Sequence, residues 1–337
     1  MRQYLDLVDG VLSNGTFKSN RTGVHGISSF GQQYRVDLAD GFPLLTTKEM
    51  TGFRWESLIH EFLWYLSGAE HIRALSEETA IWDAWADEEG RLDTAYGRFW
   101  RRYPVPESDA RLPGESWPDD GHRWTTEEDG RVTFDQIQYA IDRLNESPHS
   151  RRIVINAWHP ANAAVSTLPP CHYTFVFSVQ ADRLNVQLTQ RSGDVALGIP
   201  FNIAAYSLLC HAIAARTGFA VGEFVHSVVD AHVYCGRAAR GEWYREHLPR
   251  VQARLEAVER PADYLEVREW LLDQAPPEES ADGGLDHVPG LLEQCARTPR
   301  PRPRIEIADK PLDSLVYDDI TLHDYESESG LSFAVAE

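Results

Sequence analysis

Lysine is almost missing from this chain of 337 residues, which has Lys18, Lys48 and Lys310 beside 29 arginines. Together with 52 acidic residues this gives a formal net charge of −20 at pH 7. Such a charge repels nucleic-acid phosphates, so the composition argues against DNA binding. An acid-rich, lysine-poor surface is typical of a protein adapted to concentrated salt, where screening suppresses self-repulsion. An ordinary acidic cytosolic protein is the alternative.

Long apolar runs are also missing. No stretch approaches 18 apolar residues, and the N-terminal MRQYLDLVDGVL lacks the apolar centre of a signal peptide, so we expect no membrane segment. Cysteine is scarce, and Cys171, Cys210, Cys235 and Cys295 show no paired spacing. This pattern favours free thiols and a cytoplasmic location.

Common metal and nucleotide motifs are incomplete. HEFLW begins like a zinc-binding H-E-x-x-H, but Trp64 takes the place of the second histidine. PCHYT begins like the P-C-x-x-C of a zinc deaminase, but Thr174 replaces its second cysteine. Neither G-x-x-x-x-G-K-[ST] nor G-x-G-x-x-G occurs. The sequence therefore predicts no metal site and no triphosphate-binding loop.

Hydrophobic periodicity predicts interleaved helices and strands, which indicates an α/β or α+β protein. Two stretches read as surface insertions. Residues 104–131 are rich in Pro, Gly, Asp and Glu and are predicted to form a long loop, and residues 237–288 combine helical patterns with a linker-like PPEESADGG. The predicted helices cover 3–14, 53–68 and 198–218, and the predicted strands cover 27–38, 151–158, 173–192 (two strands with a turn at 181–182) and 224–234.

Cys171 stands between a proline pair and an aromatic run in STLPPCHYTFVF. Free cysteines are most often small buried hydrophobes, so packing is the first interpretation. A nucleophilic role needs a cation or hydrogen-bond donors to hold the thiolate, because a thiol of pKa about 8.5 is otherwise weak. His172 is a poor candidate, since strand neighbours point to opposite faces. An arginine brought in by folding is a better one.

Several arginines lie in polar contexts. Arg191 and Ser192, in QRSGD, offer several donors and a hydroxyl suited to a phosphate, although in isolation a strand-end ion pair is the favoured interpretation. Arg21 lies in NRTG, and Arg151 and Arg152 lie in SRRIV. Successive strand residues cannot both reach one pocket, so the last two require a partner subunit or an irregular backbone to act together.

Asn202 follows Pro200 early in a predicted helix. Its amide offers the donor and acceptor needed to read a uracil-like edge, but a helix cap is an alternative. In DAHVY, His232 and Tyr234 share one face of a strand, where they can bind a sugar hydroxyl or form a polar edge.

Glu61 lies within a very apolar helix. A buried carboxylate has a raised pKa and suits proton transfer, unless that part of the helix is exposed.

Ten motifs in order along the chain resemble the thymidylate synthase family, and the two stretches read as insertions fall outside them. The motifs are NRTG, GFPLLTTK, HEFLWYLSG, IWDAWADEEG, YGRFW, SRRIVINAW, LPPCHYTFVF, QRSGDVALGIPFN, DAHVY and PRPRPRI.

The resemblance implies methylation of dUMP to dTMP, with 5,10-methylenetetrahydrofolate as one-carbon donor and reductant and dihydrofolate as product. Cys171 would be the nucleophile that adds to C6 of the pyrimidine. Asn202 would bind the base edge and steady the charge on the ring carbonyl. Glu61 would organise water and move protons, and Tyr96 would take part in removing the C5 proton.

The resemblance also implies the substrate-binding residues. Arg21, Arg191 and Ser192 would bind the phosphate, with Arg191 serving catalysis as well. Arg151 and Arg152 would come from the second subunit of a homodimer.

His232 and Tyr234 would hold the ribose hydroxyl. Trp82 and Asp194 would bind the folate, Trp82 by packing near the pterin and Asp194 by a polar contact. The family pattern ends in a short apolar tail that closes the site, whereas this chain ends in FAVAE, so the charge of Glu337 departs from it.

The implied fold is a single α+β catalytic domain over residues 1–337. Its large mixed sheet would pack against helices and, back to back, against its copy in the homodimer. Two other functions are compatible with this fold: a deoxypyrimidine nucleotide hydroxymethylase, and a catalytically silent member that binds nucleotide or RNA. Asn202 and the aromatic Trp82 argue for uracil methylation, and the acidic surface argues against RNA.

Overall fold

A computed structural model describes residues 1–20, 23–92, 96–105, 122–166, 168–278 and 284–335 of the chain. The helices are α1 Arg2–Asn14, α2 Phe53–Ser67, α3 Arg73–Ser76, α4 Tyr96–Arg101, α5 Gln136–Glu146, α6 Pro160–Val165, α7 Gly198–Thr217, α8 Ala238–Leu255, α9 Asp263–Gln274 and α10 Val288–Ala296. The strands are β1 Thr16–Lys18, β2 Val24–Asp37, β3 Tyr103–Pro104, β4 Trp124–Thr126, β5 Val132–Phe134, β6 Val154–Asn156, β7 His172–Gln180, β8 Arg183–Gln190, β9 Gly193–Asp194, β10 Ala220–Arg237, β11 Arg304–Ile307 and β12 Ile320–His323.

Seven strands form one large mixed sheet in the order β1-β2-β10-β8-β7-β6, and β9 pairs with β10. The long strand β10 lies at its centre, antiparallel to β2 and parallel to β8. Strands β7 and β8 form a hairpin whose turn residues, Ala181 and Asp182, both have positive φ, as in a tight two-residue turn. The expected large mixed sheet and the predicted turn are therefore confirmed.

Helix α7 covers one face of the sheet and forms the centre of the core. It has apolar residues on all sides, as a largely enclosed helix does, and it packs against β8, β10, α2 and α5. By length and composition α7 could cross a bilayer, but most of its side chains are buried inside this fold. The sheet residues that face it are fully buried, including Leu184, Val186 and Leu188.

The other face of the sheet is open in the single chain. Residues that alternate with the buried ones, such as Val176, Gln187 and Thr189, are half-buried or exposed. Val154, which pairs with Val176, has 45% of its surface exposed. A central sheet with one face uncovered has room for a second layer.

Most predicted elements match the structure within a few residues. The apolar helix predicted at 53–68 is α2, and it ends at Gly68, whose left-handed backbone (φ 68°) suits a residue without a side chain. The strand predicted at 27–38 is longer and begins at Val24. The strand predicted at 151–158 is confined to Val154–Asn156, so Arg151 and Arg152 precede it in irregular backbone.

The two stretches read as insertions differ in character. Residues 106–121 lie outside the described residues, and the expectation of a loop throughout 104–131 is wrong at Trp124–Thr126, which pairs with β5 in a small sheet. The helical patterns in 237–288 are confirmed as α8 and α9. This second stretch does not lie only at the surface, because Tyr244 and Val251 of α8 are fully buried.

A buried ion pair fixes α8 to the chain that follows it. Arg240 Nε donates to Asp286 at 2.7 Å, and the Tyr244 hydroxyl donates to the same carboxylate at 2.8 Å. The backbone of His287, next along the chain, donates to the carbonyl of Tyr234 at the end of β10. Residues 237–288 are thereby connected to the strand that carries His232 and Tyr234.

Candidate active site

Cys171 lies directly before β7 and is half-buried. Its backbone N–H donates to the Tyr96 hydroxyl at 2.7 Å, and its carbonyl accepts from the Arg191 backbone N–H at 2.7 Å. The guanidinium of Arg191 donates to the carbonyls of Pro170 and Pro169 at 2.9 and 2.6 Å. The proline pair therefore holds an arginine beside the cysteine, which is the arrangement expected of an activated thiol.

Burial raises the pKa of the Cys171 thiol, while the charge of Arg191 and a hydrogen bond with Tyr96 act in the opposite direction. In the isolated chain burial has the larger effect. One guanidinium is therefore not enough to make the thiolate the dominant form. A further cation near the sulfur would lower the pKa of the thiol.

His172 is fully enclosed and neutral, as strand alternation predicts for a residue that points away from the cysteine. Burial lowers its pKa to about 3, its Nδ1 hydrogen-bonds with the Tyr206 hydroxyl at 2.7 Å, and its ring stacks on Tyr96 at 3.8 Å. His172 thus orients Tyr96 and adds no positive charge beside the thiol.

Glu61 lies on the buried side of α2, so the alternative of an exposed helix end is wrong. Its Oε1 accepts from Trp82 Nε1 at 2.7 Å and from the Tyr65 hydroxyl at 2.9 Å. Burial raises the pKa of the carboxyl to about 6, although both hydrogen bonds favour the charged form. The raised pKa expected from the sequence is confirmed, and it places this group near neutrality, where proton transfer is efficient.

Tyr96 connects the carboxylate region to the cysteine. Its ring contacts Trp82 edge-on with 5.8 Å between the centroids, and its hydroxyl is the group that meets the Cys171 N–H. Burial raises its pKa well above the usual range, so the phenol stays protonated. A neutral phenol at this position can pass a proton only together with a second acceptor.

Asn202 lies inside α7 and not at its end, because the residue that caps the helix is Leu197. The helix-cap alternative is therefore wrong. Its Oδ1 accepts from Gln190 Nε2 at 3.0 Å, and the same Nε2 donates to the carbonyl of Ser192 at 2.9 Å. This places the amide of Asn202 beside the QRSGD segment, which carries the predicted phosphate-binding residues.

His232 and Tyr234 lie side by side on β10, as their spacing predicts, with 5.1 Å between ring centroids. Asp194, on β9, pairs with His232 across the sheet. Its Oδ1 accepts the backbone N–H groups of Ala196 and Leu197 at 2.8 and 3.2 Å, which leaves the second carboxylate oxygen for other donors. The predicted ribose-binding residues and Asp194, one of the two predicted folate-binding residues, therefore occupy adjacent strands.

None of the described side-chain contacts joins Arg151 or Arg152 to this site. Arg151 and Arg152 are exposed on the chain, and neither forms an ion pair with another residue of the described ranges. Arg21 lies outside the described residues, as does the terminal Glu337.

Gln190 and His287 meet the predicted residues and were not predicted from the sequence. His287 is fully buried, and its Nδ1 lies 3.9 Å from Asp194 Oδ1. Its Nε2 bonds with the carbonyl of Ala334 at 2.9 Å, and its ring packs against Phe333. The adjacency of Gln190 to Arg191 was the available signal for one of them. For His287 there was none, because the insertion separates it from Tyr234.

No three histidine, cysteine or acidic side chains lie close enough to hold a metal ion among the residues that the structure covers. The four cysteines are free, and three of them are buried: Cys210, Cys235 and Cys295.

Comparison with known proteins agrees with this arrangement. The family model for thymidylate synthase matches residues 2–337. The chain is 64% identical to the thymidylate synthase of Haloferax volcanii over 332 residues, which cover 98% of this chain and 96% of that protein. These matches favour neither the hydroxymethylase nor a silent relative. The chain belongs to the thymidylate synthase family, the methyltransferases that convert dUMP to dTMP with 5,10-methylenetetrahydrofolate as one-carbon donor and reductant.

Proposed function

We propose that Cys171 is the nucleophile of dUMP methylation. The observation that supports this proposal is the exposure of the Cys171 side chain. Cys171 is half-buried beside Arg191 and Tyr96, whereas the other three cysteines are no more than 3% exposed. A substrate can therefore reach Cys171 alone among them.

The Cys171 thiolate adds to C6 of the pyrimidine, and the electron pair of the C5–C6 bond moves toward the C4 carbonyl as an enolate. Asn202 holds that ring edge and stabilises the oxygen as it gains charge. The folate supplies the methylene carbon and then the hydride. The C5 proton must leave before the sulfur departs from C6, and Tyr96 and water organised by Glu61 accept that proton. The contact of the Tyr96 hydroxyl with the Cys171 N–H supports this role.

Arg151 and Arg152 act in the site of a second copy of the chain. They are exposed on their own chain, directly before β6 at the margin of the open sheet face. The raised pKa of Cys171 in a single chain calls for added positive charge, and two guanidinium groups near the bound phosphate provide it. Sheet-to-sheet packing through Val154, Val176 and their neighbours gives the homodimer that brings them there.

The phosphate of dUMP binds to Arg191, Ser192 and Arg21, and the ribose hydroxyl binds to His232 and Tyr234. Arg191 already lies next to Cys171, so one side chain can bind the phosphate and lower the pKa of the thiol. The carboxylate of Asp230 lies 3.6 Å from His232 Nδ1 and orients the ring toward a hydroxyl.

Trp82 and Asp194 hold the folate. Trp82 is fixed by its hydrogen bond to Glu61 and by edge contacts with Trp85 and Tyr96, so it forms a rigid aromatic wall. The open carboxylate oxygen of Asp194 suits the N–H donors of a pterin ring. The donors and the aromatic surface present in the site therefore fit this co-substrate.

The test is a covalent adduct. A dUMP analogue with fluorine at C5 cannot lose a C5 proton, so with methylenetetrahydrofolate it should remain attached to the nucleophile. Mass spectrometry of the digested wild-type protein should place the adduct on the peptide that contains Cys171. Cys171→Ser should abolish it, whereas Cys295→Ser, a change at a buried thiol in α10, should retain it. An adduct on another peptide, or none on the wild-type protein, would refute the assignment.

A further inference from the structure

Three hydrogen bonds connect Asn202 to residues of the sheet that are not among the predicted site residues. Gln190 Nε2 donates to Asn202 Oδ1 at 3.0 Å, and Gln190 Oε1 meets His226 Nε2 at 2.9 Å. His226 Nδ1 then meets the Tyr34 hydroxyl at 2.7 Å. Strands β2, β10 and β8 place the last three side chains on the helix-covered face of the sheet, since Tyr34 and His226 are direct partners in the ladder.

These hydrogen bonds form a relay from Asn202 through Gln190 and His226 to Tyr34. The direction of every bond in the relay follows from a single acceptor. The carbonyl of Ser192 can only accept, so the atom of Gln190 that faces it must be Nε2. The second hydrogen of that nitrogen points at Asn202, so the facing atom of Asn202 is its oxygen. Gln190 Oε1 therefore needs a donor, and the only one it has within the described chain is the Nε2–H of His226.

His226 must in turn be neutral with its hydrogen on Nε2. It is fully buried, and burial lowers its pKa to about 3. Its Nδ1 is then an acceptor, and Tyr34, whose pKa burial raises well above the usual range, donates to it. Each member has one orientation that satisfies all its partners, and reversing any one leaves two donors or two acceptors face to face inside the core.

We infer that His226 and Tyr34, acting through Gln190, fix the orientation of the Asn202 amide and thereby make the site select uracil over cytosine. The inference rests on the proposed role of Asn202 in binding the base edge. His226 and Tyr34 are positioning residues, because they act through other side chains and contact no substrate.

The selection follows from the chemistry of the two bases. With Oδ1 fixed toward Gln190, Asn202 presents its Nδ2 hydrogens to the group at C4 of the pyrimidine. Uracil has a carbonyl acceptor there, whereas cytosine has an amino group whose hydrogens would face those of Nδ2. An amide free to rotate could bind either base by exchanging its donor and acceptor. The relay removes that freedom, and the unpaired polar groups penalise the wrong base.

The experiment measures equilibrium binding of dUMP and of dCMP to the full-length protein by calorimetry, without folate. His226→Phe removes the donor to Gln190 and keeps a buried ring. It should reduce the preference for dUMP by about three- to tenfold, the range of one net hydrogen bond. Tyr34→Phe deletes one oxygen, allows both histidine tautomers, and should reduce the preference in the same direction by a smaller factor.

Phe224→Leu is the matched control, because Phe224 is a buried ring two residues before His226 on the same strand and its ring is 5.3 Å from that of His226. A loosened core without a broken relay should change the affinities for both nucleotides by the same factor. In an Asn202→Ala background, His226→Phe should have no further effect on the preference.

An unchanged preference in both His226→Phe and Tyr34→Phe would overturn the relay. The Asn202→Ala variant tests the underlying proposal separately. If that variant alone kept the full preference for dUMP, the role of Asn202 as the base-reading residue would fail, whatever the relay variants show.

Discussion

The hydroxyl of Tyr65 donates a hydrogen bond of 2.9 Å to Glu61, one turn earlier in α2. The bond favours the ionised carboxylate and so opposes the burial that raises its pKa to about 6. Tyr65→Phe should therefore raise that pKa further. If the carboxylate form carries proton transfer, activity should fall as pH decreases through about 6 in the wild type. In the variant the same fall should occur at higher pH. Measurement of kcat between pH 5 and 9 checks this. If kcat falls at the same pH in the variant as in the wild type, Glu61 does not carry the proton transfer.

The same carboxyl predicts a gain in stability when its charge is removed. Its pKa in the folded chain is about 6 against an ordinary value of 4.5, so between these values the folded state binds more protons than the unfolded one. Stability should therefore decrease as pH rises through that window. Glu61→Gln should raise the free energy of unfolding at pH 8 by up to about 2 kcal/mol while activity is lost. Urea denaturation at pH 5 and pH 8 checks this, and Glu88→Gln, at an exposed turn position, is the control.

Sequence patterns predicted single residues of the candidate site but not the connections between them. His232 and Tyr234 could be paired because a strand alternates with period two, and His172 could be set aside for the same reason. The link from Asn202 to His226 could not be read, because Gln190 and His226 lie 36 residues apart and meet only through parallel pairing of β8 with β10. The protonation state of Cys171 could not be predicted from the sequence either, since it depends on how deeply the thiol is buried.

If each active site contains residues of both subunits, mixing two inactive variants should restore enzyme activity. If Arg151 and Arg152 complete the site of the other subunit, Cys171→Ser and the double variant Arg151→Ala/Arg152→Ala should each be nearly inactive alone. After unfolding and refolding together in equal amounts, half of the dimers should be mixed, each with one intact site. Activity should then reach about a quarter of the wild-type value. Dihydrofolate absorbance measures the rate, and failure to recover any activity would place these arginines in the site of their own chain.

The C-terminal segment should depend on His287. Its Nε2 bonds with the carbonyl of Ala334, and Phe333 packs on its ring and beneath the Lys48 ammonium. His287→Phe keeps a buried ring and removes the bond, so the segment should be less well held. Because Asp194 is adjacent, we expect the KM for methylenetetrahydrofolate to rise by about three- to tenfold, with little change in the affinity for dUMP. An equal loss for both substrates would indicate general disruption of the fold.

The excess of acidic residues predicts dependence on salt. At a net charge of −20 the folded chain repels itself in dilute buffer, and because the Debye length falls to about 3 Å at 1 M, salt should remove most of that repulsion. The melting temperature should therefore rise between 0.1 and 2 M KCl. Salt also strengthens apolar burial, so the control is a variant with fewer charges. Glu88→Gln/Glu256→Gln/Glu266→Gln changes three exposed carboxylates and should show a smaller rise. Equal stability of the wild type in dilute and molar salt would contradict the adaptation, since the charges would then impose no repulsion for salt to relieve.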